Sequence, residues 1–442
     1  METRRVLDVT EFIDAVGIRP RQWFVVLLCS LVALLDGLDV QSIGLAAPLM
    51  GPALHIPPQL FGFVFSAALA GLALGAFALG PVADRIGRKS VLIASMICFG
   101  AFTLATAFST QFTDLIVYRF LAGVGLGGAM PSFISLASEY VPSPRRAAIV
   151  SLLWAGFPLG GTVGGLIGSR LIPLYGWHSI FLVGGIAPLV LAVVLAAALP
   201  ESVAFLAHRG GRTERIRRIL SRMFPGTDFG AVSAFVVRQE GTRKGSVRLL
   251  FADGRAGGTI LLWIAFFFAF MALVTNSAWT PLLLRYLRIS VADSAFALAA
   301  YNFASVFGSA AAGVLIARFG APLILTATIT VGAGAYAMIG WSAPSVGMIV
   351  GAEALFGLLL GCGSSGLIGL GATFYPSAIR STGIGWATGI GRFGSFTGPL
   401  IVGSLVTVRL PEATIFMVVA SLTVAGALAC LLMGTQRPVP RL

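Results

Sequence analysis

Apolar residues in this chain run in long blocks instead of alternating with polar ones. A ~30 Å hydrocarbon layer takes about 20 helical residues to cross. Twelve blocks reach that length, at roughly 23–48, 60–82, 90–109, 114–137, 147–171, 178–199, 259–280, 294–316, 322–341, 346–370, 383–406 and 413–434. Helices are predicted for all twelve, because backbone polar groups in lipid must be satisfied within the segment and no strand-like alternation is present. The first block follows a 22-residue tail holding four acids and four arginines. It exceeds the apolar core of a signal peptide and carries no small-residue cleavage pattern, so it reads as a retained span.

One long polar segment, 200–258, interrupts the blocks. It divides the chain into an N-terminal tail (1–22), a six-span bundle (23–199), a basic loop (200–258), a second six-span bundle (259–434) and a C-terminal tail (435–442). Within the loop, RGGRTERIRRILSR at 209–222 predicts a short amphipathic helix lying on the inner membrane surface, with a calmodulin-like or RNA-binding role as the second reading. The two bundles also repeat each other. Gly80, Arg85 and Gly87 align with Gly313, Arg318 and Gly320 at an offset of 233, and Pro142, Ser143 and Arg146 align with Pro376, Ser377 and Arg380 at 234. An offset spanning six helices makes the repeats parallel, an architecture of transporters whose substrate site lies between the halves. The expected fold class is an all-α membrane protein, twelve transmembrane helices in two parallel six-helix halves.

Composition sharpens this. Apolar residues make up 57% of the chain and charged ones 11%, with a mean hydropathy of +0.94; a soluble domain carries about 25% charge. The formal net charge of +13 raises nucleic-acid binding as a hypothesis, but the placement of the charge answers it. With the N-terminus cytoplasmic, 24 Lys/Arg fall on cytoplasmic segments and four (Arg170, Arg285, Arg288, Arg409) on the other side. That is the positive-inside pattern with both termini cytoplasmic, and no nucleic-acid partner is expected. Cys29, Cys98, Cys362 and Cys430 sit singly in apolar spans, and His55, His178 and His208 are scattered. No metal, disulfide or organic cofactor is expected. With no HExxH, P-loop or GxSxG after a strand, enzyme chemistry has no candidate residues.

The loop GPVADRIGRK from Gly80 to Lys89 resembles the signature of the major facilitator superfamily, and Arg119-Phe-Leu-Ala-Gly123-Val-Gly125 resembles its fourth-helix motif. Asp36-Gly37-Leu38-Asp39 is similar to the DGxD hallmark of that superfamily's aromatic acid:proton symporters, which carry 4-hydroxybenzoate, protocatechuate, benzoate and like acids. LDVTEFIDAV in the tail, SEYVPSPRRA at 138–147 and FYPSAIRSTGIGWATGIGRFGSFTGP at 374–399 extend the resemblance over the whole chain. It implies a monomeric multi-pass carrier in the plasma (inner) membrane, with a small aromatic carboxylate and protons as partners and the proton as coupling ion. Other readings are a carrier for another organic anion or a drug exporter, although Pro158-Leu159-Gly160-Gly161 does not meet the exporters' GPxxGG spacing. From a different class, a non-transporting membrane sensor on a carrier fold is the rival.

Charges inside the spans are the residues that packing does not explain. Asp36 and Asp39 are three apart and share a helix face; an ionised carboxylate at mid-membrane costs roughly 2.5–3.5 kcal/mol on insertion scales. They are either proton carriers, as the resemblance implies, or a static polar pair facing a water-filled cavity. Arg119 is the counter-charge for one of them or an arginine snorkelling to the interface. Arg392 has no acid in its own span. Its partner is either Glu353 on the tenth span or a substrate carboxylate held in bidentate fashion, with Gly389, Gly391 and Gly394 allowing close approach. Phe133, Trp154, Phe157, Trp279, Tyr301, Trp386 and Phe393 either stack an aryl ring or pack helices. Asn276 and Asn302 either read a hydroxyl or join helices. On the cytoplasmic side, Asp84, Arg85, Arg88 and Lys89 are expected to ion-pair and cap helix ends. In the superfamily this loop latches the halves in the outward-open state, with Arg145, Arg146 and Arg380 as partners or as topological charges. Ala317, where an aspartate is common, makes the expected latch asymmetric. Glu139, at the cytoplasmic end of the fourth span, either joins this cluster or is a solvated end charge. His178, at the outer start of the sixth span, stands where the family uses a residue, or is interfacial.

Overall fold

The computed structural model describes residues 5–209, 212–230, 232–237, 247–376 and 379–434. The chain opens with a strand, β1 (Arg5–Asp8), and a two-turn helix, α1 (Val9–Val16). Six long helices follow: α2 (Pro20–Ala53), α3 (Phe61–Ile86), α4 (Arg88–Thr106), α5 (Phe112–Glu139), α6 (Arg146–Tyr175) and α7 (His178–Ala198). The central segment holds α8 (Val203–His208), α9 (Thr213–Met223) and β2 (Val232–Val236). Six more long helices complete the chain: α10 (Ala256–Tyr286), α11 (Val291–Phe319), α12 (Ala321–Trp341), α13 (Val346–Phe374), α14 (Arg380–Thr407) and α15 (Glu412–Gly434). Each long helix falls on one of the twelve apolar blocks and overruns most of them by a few residues.

Eleven of these helices are long and apolar enough to cross a membrane by composition alone. The exception, α14, has the length, but Arg392 and its many glycines, serines and threonines dilute its apolarity. It is held in the bundle by packing against α10 and α3. The repeat anchors acquire a reason here. Gly87 ends α3 at φ +107° and Gly320 ends α11 at φ +85°, left-handed positions that favour glycine, with their N–H groups returning to Ala83 and Ile316.

Both halves use the same packing pairs. In the first, α2 lies on α6, α3 on α5 and α4 on α7; in the second, α10 lies on α14, α11 on α13 and α12 on α15. Glycines make these crossings close. A Cβ on Gly160 would stand 1.8 Å from the Leu34 carbonyl oxygen, and one on Gly308 1.8 Å from that of Leu358.

The halves meet through α2 with α10, α6 with α11, and α3 with α14. Taking the side that bears the N-terminal tail as the near side, the tightest of these contacts lie on the far side. Gly44 abuts Ser277, Gly165 abuts Ala295 and Gly62 abuts Pro399. Ser66 Oγ donates to the Phe396 carbonyl at 2.9 Å. The described hydrogen bonds between halves lie at mid-depth or beyond, so the halves close at the far side and diverge toward the near side.

The near side also carries a small lobe that span counting did not anticipate. β1 pairs in parallel with β2, with Leu7 opposite Phe235 and Asp8 opposite Val236. The amphipathic helix exists as α9, but its apolar residues Ile216, Leu220 and Met223 are buried in the cluster that also holds Val9 and Ile13, instead of facing a membrane surface. The tail supplies the partner: Phe12 stands edge-on to Phe224 at 5.0 Å and to Phe229 at 5.3 Å. Ser377 of the second repeat anchor and the C-terminal tail 435–442 lie outside the described residues.

Gly160 and Gly351 test the packing with opposite signs. No atom lies within 4 Å of a Cβ built on Gly351, so Gly351→Ala gains helix propensity of up to ~1 kcal/mol. Gly160→Ala drives a methyl into the α2 backbone and costs about 1–3 kcal/mol. Melting of the detergent-purified variants is expected to separate them, with Gly160→Ala lower than wild type. A Gly160→Ala protein melting at or above wild type contradicts the close crossing.

Candidate functional site

The first half locks one aspartate. Asp39 on α2 and Arg119 on α5 form a bidentate pair, Nη1 to Oδ1 at 2.9 Å and Nη2 to Oδ2 at 2.6 Å, with both side chains 1% exposed. Thr103 on α4 donates to the same Oδ1 at 3.2 Å. The Phe181 ring of α7 lies 6.0 Å from the guanidinium carbon. Four helices thus converge on one ion pair, and the arginine is turned inward instead of reaching for the interface.

The second aspartate is held differently. Asp36 stands one helical turn nearer the near side, buried, and its Oδ1 has no hydrogen-bond partner. The charges of Arg392 and Asp39 both reach it. Arg392 on α14 is half-buried, and its Nη2 lies 3.4 Å from the Met130 sulfur on α5, a weak acceptor. Among the described residues no carboxylate ion-pairs with it. An acid of the first half and a cation of the second therefore share the seam without direct pairing.

Glu353 does not neutralise Arg392. Its Oε2 accepts from Asn276 Nδ2 at 3.0 Å, inside the second half. Asn302 lies at the seam, where its Oδ1 accepts from Gln41 Nε2 at 3.3 Å; Gln41 also donates to Ser277 Oγ at 3.1 Å. Sequence reasoning passed over Gln41, whose signal was an amide inside an apolar block two residues after Asp39.

The aromatic candidates scatter. Trp279 is fully buried, donates to the Pro399 carbonyl at 3.1 Å and meets Phe65 edge-on at 5.5 Å, as part of the far-side closure. Tyr301 packs on Phe356 at 5.5 Å, and Phe133 belongs to the core of the first half. Trp386 stacks on Trp263 at 5.8 Å; it and the exposed Phe393 share a stripe about 100° round the helix from Arg392. Trp154 is exposed and Phe157 partly buried on α6.

On the near side, Arg88 ion-pairs with Glu139, which also accepts from Ser202 Oγ at 2.6 Å. Glu201 accepts from the Lys89 and Ser202 N–H groups, each at 3.0 Å, and its carbonyl accepts from Tyr140 Oη at 2.5 Å. Glu201 is the second residue the sequence reading missed; the signal was an acid at the end of the sixth apolar block. Asp84 was expected to form ion pairs with Arg85, Arg88 and Lys89; instead Arg88 turns to Glu139, and Lys89 Nζ donates to the Ala196 carbonyl at 2.7 Å. Asp84, Arg85, Arg145 and Arg380 are exposed, at the end where the halves stand apart. Arg146 Nε donates to the Val141 carbonyl at 3.3 Å. His178 is exposed and stacks on Trp177 at 3.8 Å, one turn before Phe181.

Comparison with known proteins fits this arrangement. Residues 29–286 match the Major Facilitator Superfamily. The 4-hydroxybenzoate transporter PcaK of Pseudomonas aeruginosa is 39% identical over 90% of this chain and 89% of its own length. The gallate transporter of Pseudomonas putida is 33% identical over 98% and 96%. A bacterial homologue of the human lysosomal transporter Spinster, in an inward-facing and occupied conformation, superposes with a TM-score of 0.72 over 95% of this chain and 96% of that one. At 15% identity that likeness concerns the fold alone.

A buried pair that loses one partner leaves an uncompensated charge, at about 3–5 kcal/mol. Arg119→Leu is therefore expected to melt well below wild type, and adding Asp39→Asn to recover a large part of the loss. Additive effects of the two substitutions contradict a direct pair.

Proposed function

The chain belongs to the major facilitator superfamily, and from that premise we propose that it takes up an aromatic carboxylate of the hydroxybenzoate or benzoate kind together with protons, by alternating access. It is a multi-pass membrane transporter and not an enzyme. The substrate class follows the relatives; the coupling follows the chemistry of the seam.

The observation that carries the reading is Asp36 within electrostatic reach of Arg392, one acid with an unpartnered oxygen and one cation with no ion pair among the described residues, on different halves. A planar guanidinium takes a carboxylate through two parallel hydrogen bonds. An ionised Asp36 close by repels the same carboxylate, so a proton on Asp36 favours substrate binding. Proton and anion then occupy one seam, and rocking of the halves exposes both to the other side. Asp39, tied to Arg119, fixes the height and rotation of α2 and with them the place of Asp36 one turn away. A proton taken up by Asp39 would release Arg119.

The positive-inside charge count supports a cytoplasmic near side, with both termini in the cytoplasm. On that orientation, the conformation described here is open inward, toward release. Asp84, exposed now, would engage Arg145, Arg146 or Arg380 when the near ends close. With Ala317 at the matching place in the second half, Asp84 carries more of that latch.

Proteoliposomes with an imposed pH gradient, given labelled benzoate, 4-hydroxybenzoate, protocatechuate, gentisate and phenylpropionate, test this directly. At least one acid is expected to accumulate, and a protonophore to collapse the gradient-driven part. Asp36→Asn is expected to abolish proton-driven accumulation. Arg392→Lys, which keeps the charge but loses the bidentate geometry, is expected to weaken apparent affinity by roughly tenfold or more, since a charged hydrogen bond contributes about 1.5–3 kcal/mol. Accumulation indifferent to the pH gradient, or near-normal uptake by both variants, contradicts the proposal.

A further inference from the structure

The second half contains a buried acid that the cycle above leaves unused. Glu353 on α13 is 0% exposed. Oε2 accepts from Asn276 on α10, Oε1 has no partner, and among the described residues no cation forms an ion pair with this carboxyl. Asn276 is itself held, its Oδ1 accepting from Thr280 Oγ1 at 2.7 Å, and Thr280 Oγ1 lies 3.5 Å from the Tyr336 hydroxyl. The titratable groups facing the acid are the phenols of Tyr301 on α11 and Tyr336 on α12. Arg392 on α14 turns to the seam, where its Nη2 lies against the Met130 sulfur of the first half.

The internal repeat gives this cluster a counterpart. Glu353 stands seven residues past the start of α13, and Arg119 seven past the start of α5. Tyr336 stands fifteen residues into α12, and Thr103 fifteen into α4. Asn276 and Asp39 stand twenty and nineteen residues into α10 and α2. Asn276–Glu353–Tyr336 thus occupies the place in the second half that Asp39–Arg119–Thr103 occupies in the first. The chemistry is changed: the acid sits on the fourth helix of its half, and an amide replaces the opposite charge. An arginine at this place can only stay charged, whereas a buried glutamate that accepts from one amide, with no ion pair among the described residues, can be neutral.

We propose that Glu353 is a second proton-binding site, loaded in the conformation described here and emptied when the halves rock. Loading adds one proton from water to the unpartnered Oε1. Release returns it to water and leaves the charge facing the Asn276 amide. The link to rocking runs through α10, which packs on α13 within its half and on α2 across the seam. Ser277, next to Asn276, accepts from Gln41 of the first half. A shift of α10 against α2 therefore acts on the helix that carries Asn276, the described hydrogen-bond donor to Glu353. The inference rests on the proton-coupled reading above, but it fails separately: without that reading the wild-type protein does not accumulate substrate, whatever Glu353 does.

The experiment is the proton-to-substrate stoichiometry of the full-length carrier in proteoliposomes, wild type against Glu353→Gln, with substrate–substrate exchange as the control for folding and binding. Glu353→Gln is expected to keep exchange within about twofold. It should lose one proton per substrate, so that the accumulation limit falls ~tenfold for a gradient of one pH unit. An unchanged stoichiometry and limit overturns the proposal, because a glutamine then does all that the acid does. Should Glu353→Gln lose exchange as well, Glu353→Asp decides. Restored stoichiometry with a displaced pH profile supports a titrating group, and a wild-type pH profile overturns it.

Discussion

An ionised side chain in a hydrocarbon layer needs an opposite charge or water, or it must give up its charge. This chain answers the constraint in three ways on helices that meet at mid-membrane. Asp39 takes Arg119 in a bidentate pair buried from all sides. Asp36 and Arg392 stand at the seam between halves with no ion pair between them among the described residues. Among the described residues, Glu353 takes only an amide. The first arrangement fixes geometry, and the second is where the proposed function places an anion and a proton.

Rocking requires two stiff bodies with a shared surface that can open. Stiffness comes from backbone-to-backbone crossings: Gly37 against Phe157 and Gly160 against Leu34 in the first half, Gly308 against Leu358 and Gly357 against Tyr301 in the second. These lie within the halves. Between them, closure at the far side combines small-residue contacts such as Gly44 against Ser277 with the Ser66–Phe396 hydrogen bond and the Phe65–Trp279 ring contact. Near-side polar contacts tie helices within the first half: Arg88 ion-pairs with Glu139, Glu201 accepts from the Lys89 backbone N–H, and Lys89 Nζ donates to the Ala196 carbonyl. Asp84 and Arg380 face an open mouth.

Much of this was legible in the sequence, because a membrane span announces itself by length and apolarity alone. All twelve long helices, the duplication and the charges that stay inside the spans could be read from one dimension. Where reading failed, the missing quantity was rotation about a helix axis or contact between segments distant in sequence. Arg392 had two candidate partners until the orientation of α13 took Glu353 to Asn276. Gln41 and Glu201 look like minor polar residues until the seam and the α4 terminus are built around them. The amphipathic pattern of α9 fixed which face is apolar but not what covers it, and the tail, through Phe12, covers it. Trp386 and Phe393 share the helix of Arg392 yet lie on a different stripe.

The central claim is that one proton and one carboxylate bind together at the seam made by Asp36 and Arg392. Calorimetric titration of the purified carrier with 4-hydroxybenzoate, repeated in buffers of different ionisation heat, counts the protons taken up per substrate bound. Net proton uptake that disappears in Asp36→Asn is the expected result. Tight binding with no proton exchanged across the pH range contradicts the claim.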